Sequence, residues 1–176
     1  MALKSDPAAL ALVDEYDEML ANIKGQGDPL GLVERRGDTY PDFVAVVTST
    51  CKRGMVQAVQ DDESNLVFWA KAPTEDICES PIWALWQEGT RYHWAWPCPS
   101  CDEYFIPRFD LLRWPEGVTP AEAARGAYVE CPHCGGVIED KHKTTMNARG
   151  RYVAPGQKVD SFKVRMKRSA TPLPSG

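Results

Sequence analysis

Two cysteine pairs, Cys98-Pro-Ser-Cys101 and Cys131-Pro-His-Cys134, constrain this chain more than any other feature. A two-residue gap lets one tight turn aim both sulfurs at one point. The 29 residues between the pairs leave room for two such turns to meet. Four thiolates suit a tetrahedral, borderline-soft zinc ion. Short strand-like runs flank each pair: Arg91 to Trp96 and Tyr104 to Ile106 around the first, Tyr128 to Glu130 and Val137-Ile138 around the second. Each pair is therefore expected at the tip of a hairpin. The spacer is longer than is usual for such sites, but loop closure costs rise slowly with length. A short helix, opened by Thr119-Pro120 and ended by Gly126, takes up the excess. Gly135-Gly136 supplies a left-handed turn after the second pair, and Asp102 stands in the matching place after the first.

Other readings of the cysteines fit less well. A redox dithiol needs one pair opening a helix in a thioredoxin-like setting, not two strand-flanked copies. Four sulfurs fill the tetrahedron, so His133 is expected to point outward and the zinc to be structural, without an open position for catalysis. Cys51 and Cys78 lack such partners and read as isolated thiols. The start, MALKSDPAAL, lacks the basic and long apolar parts of a signal peptide, and no run of about 18 apolar residues occurs. The expected compartment is the cytoplasm, where reduced thiols favour metal over disulfide.

Charge is distributed unevenly. Residues 1–140 hold 11 Lys+Arg against 24 Asp+Glu, whereas residues 141–176 hold 9 against 1. A basic tail on an acidic body can touch nucleic acid or an acidic partner, although composition alone is also met by a solvated, flexible tail. The acidic body argues against a self-sufficient DNA-binding protein.

Residues 1–65 alternate as an α/β layer does. Ala8 to Val13 is an apolar run ending in Asp14-Glu15. Tyr16 to Lys24 can be helical, and Asp28-Pro29 caps a helix through Arg36 that Gly37 closes. Phe43 to Val47 is a second apolar strand, followed by Thr48-Ser49-Thr50. Two such runs predict adjacent parallel strands covered on both faces. Acidic and hydroxyl residues at the carboxyl ends of such strands lie where ligands gather in open α/β sheets. The Asp14-Glu15 pair has the placing of a Walker B motif, and equally that of an ordinary helix start. No G-x-x-x-x-G-K-[ST] occurs, so the chain carries no phosphate cradle and is not expected to bind ATP productively alone.

Further on, residues 66–90 read as a connector. In it Ser80-Pro81 starts a helix with Ile82, Trp83, Leu85 and Trp86 on its apolar face, and Gly89 stops it; the tryptophans are expected in a core. Residues 91–153 form the zinc ribbon and a following helix, which Asp140 caps and Gly150 stops. Residues 154–176 are a basic tail expected to be disordered. The fold class is thus α/β, part of a P-loop NTPase sheet followed by a β-rich zinc ribbon.

The ordered set DPAALALVDEYDEML, GQGDPLGLVERRG, FVAVVTST, WAWPCPSCDEYF and YVECPHCGGVIED resembles the lambda-type large terminase subunit family of tailed phages, over roughly residues 5–155. Members package viral DNA with an N-terminal ATPase and a C-terminal endonuclease. The resemblance implies that Asp14 and Glu15 match the Walker B magnesium ligand and catalytic carboxylate, and that Thr48, Ser49 and Thr50 match the motif coupling γ-phosphate state to movement. It implies that Cys98, Cys101, Cys131 and Cys134 match a zinc-binding insertion between ATPase and nuclease. Zn2+ would be structural, with Mg2+ and ATP held only by a complete ATPase domain. Implied partners are the small terminase subunit, the portal protein and double-stranded DNA, in the cytoplasm of the bacterial host, with no membrane. Cys51 stands where the coupling motif commonly has proline, and SFKVRMKRSATPLPSG offers no nuclease carboxylates. The chain therefore reads as an internal fragment from a phage or prophage, inactive alone. The alternative is a stand-alone zinc-ribbon adaptor binding protein or nucleic acid; a redox or zinc-storage protein ranks below both.

Overall fold

The computed structural model describes residues 7–19, 21, 25, 27–72 and 79–159. The chain divides into two compact units: residues up to 57 with 70–91, and the segment 58–69 with residues from 92 onward. The border expected at residue 65 falls inside that segment.

In the first unit, β1 (Leu10–Val13) and β2 (Val44–Val47) run parallel, with Leu10 opposite Val44 and Val13 opposite Val47. Between them, α1 (Pro29–Gly37) begins on the signals legible in the sequence. The Asp28 carboxylate accepts from the Gly31 amide at 2.9 Å, and Pro29 occupies the first turn, where its missing N–H costs nothing. Where a helix was expected over Tyr16 to Lys24, the described part is a single 3-10 turn, Tyr16–Glu18; residues 20, 22–24 and 26 lie outside the described set. Glu15, at φ 54°, is left-handed and cannot serve as an ordinary helix start.

The expected double covering of the strands is also corrected. Val13 is buried, but Leu10, Leu12, Val44 and Val46 are exposed, Leu12 at 74%. By register these four share one face of the pair, and among the described residues nothing layers over it. An apolar run encodes a strand made to be covered, not the element that covers it.

Asp17 does more than its sequence context announces. It is only 4% exposed, and its carboxylate accepts from the amide of Ile82 at 2.9 Å and of Lys52 at 3.3 Å, and from the Ser80 hydroxyl. Its own amide donates to Ser49 Oγ at 2.9 Å. Burial works against the charged form, but these hydrogen bonds and the nearby Arg53 outweigh it and hold Asp17 below the usual 3.8. Beside it, the Tyr16 hydroxyl donates to Asp28 at 3.0 Å; burial first, and then that carboxylate, pushes the phenol up to about 12. One short turn thus holds the start of α1, the chain after β2 and the start of α2 (Pro81–Glu88). The Ser80 cap and Gly89 stop of α2 form as read, its Trp83 and Trp86 stacked 4.6 Å apart. These tryptophans are half-buried, not core: α2 buries none of its residues completely.

The second unit opens with a hairpin missed by the sequence reading, β3 (Ala58–Asp61) and β4 (Leu66–Trp69). Its turn is fixed by Asp61, whose carboxylate accepts from the Ser64 amide at 2.8 Å, and by Asn65 at φ 57°. Strand β5 (His93–Pro97) pairs with β6 (Tyr104–Phe105) on one side and β10 (Arg151–Val153) on the other, both antiparallel. A second small sheet joins β7 (Leu112–Arg113), β8 (Tyr128–Glu130) and β9 (Val137–Ile138). Helix α3 (Pro120–Gly126) fills the spacer as expected. Thr119 and Glu122 form a reciprocal capping box at its start. Glu139, not Asp140, precedes a 3-10 turn at 140–142, which runs into α4 (Lys143–Arg149). Within the expected 91–153 domain, β10 adds a strand after the helix, and order continues past residue 153, where Val159 packs on the core. Residues 160–176 of the expected tail lie outside the described set.

Two cores support this unit. Leu66, Phe68, Ala95, Tyr104, Ile106 and Val153 form the first, where His93 Nε2 also accepts from the Trp69 amide at 3.0 Å. The second surrounds the cysteines: Phe105, Leu111, Ile138 and Met146 with Cys98 and Cys131.

Two substitutions test these packings. A Cβ at Gly150 would overlap the Trp94 indole, so Gly150→Ala is expected to cost the second unit about 2 kcal/mol in urea unfolding. Asp17→Asn should cost the first unit about 2 kcal/mol, since it removes charge-assisted hydrogen bonds. Because Asp17 is depressed in the folded state, its contribution is complete above the usual 3.8 and is lost as pH falls through the folded value. Hydrogen exchange at first-unit amides should therefore show an acid-side loss in the native chain that Asp17→Asn flattens; an unchanged acid limb would place that loss elsewhere.

Candidate metal centre

The two C-x-x-C turns are built alike. Cys98 N–H donates to Glu103 O and Asp102 N–H to Cys98 O, each at 2.9 Å; Cys131 N–H donates to Gly136 O and Gly135 N–H to Cys131 O, again at 2.9 Å. Asp102 (φ 63°) and Gly135 (φ 68°) take the same left-handed position, as the sequence predicts. Main-chain amides then turn inward onto sulfur, Ser100 N–H meeting Cys98 Sγ at 3.4 Å. Amides of Cys101 also reach Cys98, and those of His133 and Cys134 reach Cys131. This is how the turns offer thiolates to a cation: the backbone supplies the dipoles that stabilise negative sulfur.

All four Sγ atoms lie within 4.8 Å of one another, with Cys98 to Cys134 and Cys101 to Cys131 each at 3.9 Å. A disulfide requires about 2.05 Å. Tetrahedral zinc with bonds of about 2.3 Å sets its sulfurs about 3.8 Å apart. The four cysteines thus fit a metal ion such as zinc by both donor type and spacing. Burial pushes the Cys101 thiol up to about 12 and raises Cys131, whereas amide hydrogen bonds hold Cys98 below the ordinary thiol value despite its burial. A divalent cation favours the deprotonated form at every one of these sulfurs.

His133 is not directed at the sulfurs, in keeping with its expected exclusion from the ligand set, but neither is it idle. Its Nε2 lies 2.9 Å from Tyr104 O and its Nδ1 3.3 Å from Asn65 Nδ2, while Asn65 Oδ1 accepts from Gln60 at 2.9 Å. A ring protonated at Nε2 satisfies both contacts. His133 therefore braces the second turn against β6 and the tip of the β3–β4 hairpin. Nothing in the C-P-H-C spacing signals this, because its partners come from distant sequence.

In the first unit, Asp14 and Glu15 are both exposed at the end of β1. Thr48 comes to them directly, its hydroxyl donating to Asp14 Oδ1 at 2.6 Å and its amide to Val13 O at 2.8 Å. Ser49 turns instead to the Asp17 amide, and Thr50 is exposed. The strand ends so bring the carboxylate and hydroxyl runs together. Asp17, which ties them to α2, has only one signal in the sequence, a second aspartate three residues after Asp14.

A family model described as phage terminase large subunit gpA, ATPase domain, matches residues 1–152, a span that includes all four cysteines. No curated protein and no solved structure matches the chain. Among the described residues no helix is long and apolar enough to cross a membrane. With a family match over most of its length, and with the carboxylate and hydroxyl strand ends paired, this chain belongs to the phage terminase large subunit family.

Proposed function

We propose that this chain works within the ATP-driven motor that packages phage DNA, supplying the acidic strand end of its ATPase and a zinc-stapled module. The observation that best supports the reading is the hydrogen bond from Thr48 to Asp14, which joins the hydroxyl proposed to sense γ-phosphate to the carboxylate proposed to hold magnesium. In a complete ATPase domain Asp14 would hold Mg2+ and Glu15 would orient the attacking water. Ser49, bonded to the amide of buried Asp17, would pass movement of the Thr48–Thr50 segment toward α2. With no phosphate cradle in its sequence, the chain does not turn over ATP alone. Its partners in the motor are the small terminase subunit, the portal protein and double-stranded DNA.

Cys98, Cys101, Cys131 and Cys134 hold one structural zinc. The ion neutralises the thiolates and cross-links two turns that are 29 residues apart; no coordination position is left for substrate.

Purified chain should carry one zinc per molecule by elemental analysis. Cys131→Ser should release it and collapse the near-ultraviolet dichroism of the second unit, since structural zinc contributes on the order of 10 kcal/mol. Substoichiometric metal after native purification would defeat the zinc assignment. Asp14→Asn should shift stability by no more than about 1 kcal/mol, as befits an exposed group kept for chemistry. ATP turnover by the chain alone would overturn the reading of its ATPase half as incomplete.

A further inference from the structure

The four cysteines differ in their access to solvent. Cys134 is exposed and Cys101 half-buried, whereas Cys98 and Cys131 are only 0% and 2% exposed. Gly136 leaves one flank of the outermost sulfur bare, since a Cβ there would stand 3.2 Å from Cys134 Sγ. Each accessible sulfur has a buried one of the opposite turn beside it. Cys134 Sγ lies 3.9 Å from Cys98 Sγ, and Cys101 Sγ lies 3.9 Å from Cys131 Sγ. An accessible thiolate beside a second sulfur that can resolve its oxidised form is the arrangement of peroxide-sensitive cysteines. Packing keeps these neighbours together, because Cys98 and Cys131 share one core with Phe105, Leu111, Ile138 and Met146. Apolar contact thus holds the turns face to face independently of any ion.

We infer that the cysteine cluster is a peroxide-sensitive modification site, where oxidation replaces the zinc by two disulfides, Cys98–Cys134 and Cys101–Cys131, that tie the same two turns. The inference rests on the structural-zinc reading and adds to it the response of that site to an oxidant. It does not make the cluster a dithiol catalyst, since each bond spans two turns and neither C-x-x-C pair closes on itself.

The chemistry begins at Cys134, the most accessible sulfur. Its thiolate attacks one oxygen of hydrogen peroxide: an S–O bond forms, the O–O bond breaks, and hydroxide leaves and is protonated to water. Cys98 thiolate then attacks the Cys134 sulfur, forming the S–S bond and expelling the sulfenic oxygen as hydroxide, again protonated to water. Two thiolates, two protons and one peroxide thus give one disulfide and two waters. A second peroxide does the same at Cys101 and Cys131. Thiolate is the form that binds metal, so a site whose thiolates are consumed releases its ion. Each sulfur pair has to close from 3.9 Å to about 2.05 Å. Because both bonds cross between turns, the spacer stays closed as a loop, which disulfides within Cys98–Cys101 and Cys131–Cys134 would not achieve.

The test uses the native full chain, loaded with zinc and treated with hydrogen peroxide in steps. Elemental analysis before treatment reports on the zinc reading by itself. A chromogenic chelator should then register complete loss of the zinc as disulfides accumulate. A sulfenic-acid trap added early should label Cys134 ahead of Cys101. Non-reducing peptide mapping should recover Cys98–Cys134 and Cys101–Cys131, distinct from Cys51 and Cys78. Near-ultraviolet dichroism should survive this oxidation, yet be lost when a chelator strips the reduced chain. The inference is overturned by disulfides within either C-x-x-C turn or to Cys51 or Cys78. First labelling at Cys101, zinc loss without disulfides, or dichroism that collapses once both disulfides have formed overturns it equally. Any of these results, with zinc present at the outset, leaves the zinc reading standing. A chain that carries no zinc at the outset overturns both.

Discussion

Convergence of four sulfurs to within 4.8 Å is the constraint on which the second unit depends. Its sheets are short, with β6, β7 and β9 only two residues each, too short for ladder hydrogen bonds to hold alone. Its second core is built around Cys98 and Cys131 themselves, so two of the four cysteines that could hold a metal are also packing residues. Separating the turns would open that core as well as the site. Donor geometry suited to a metal and apolar packing meet in the same few side chains, the combination by which a small core can be stabilised without more apolar mass.

The first unit solves a different problem. Two parallel strands of four residues leave an apolar face uncovered, and order is maintained by a buried carboxylate. A buried charge is costly unless fully hydrogen-bonded. Asp17 meets that condition by drawing amides and a hydroxyl from two distant stretches of chain, so its stability and its geometric precision have the same source. The arrangement also places Ser49 and the start of α2 on a single residue, a compact route for coupling a strand end to a helix.

Local chemistry was legible and distant chemistry was not. Caps at Asp28, Ser80 and Thr119, the left-handed Asp102 and Gly135, and the cysteine turns all depend on residues within a few positions of each other, and each formed as read. The β3–β4 hairpin was missed because its turn, Asp-Asp-Glu-Ser-Asn, lacks glycine and relies on a side-chain bond between Asp61 and Ser64. Strand β10 was missed because three residues after a helix stop carry too little pattern to register. The uncovered face of β1 and β2 was misread for the opposite reason: pattern reports what a strand is suited to meet, not what meets it. His133 and Asp17 act through partners 29 or more residues away, which no spacing rule reaches.

Strand β5 connects the cysteine cluster to the aromatic residues of its sheet. At its carboxyl end Pro97 leads into Cys98, so the first turn fixes that end in place. Toward its other end it carries Trp94, half-buried against Gly150, and exposed Tyr92 stands just before the strand. Helix α4 contributes to both: Met146 packs in the cysteine core while Asn147, one residue on, bonds both indoles of β5. A tie between the two cysteine turns would therefore be felt along one strand and one helix, as far as the indoles of Trp94 and Trp96.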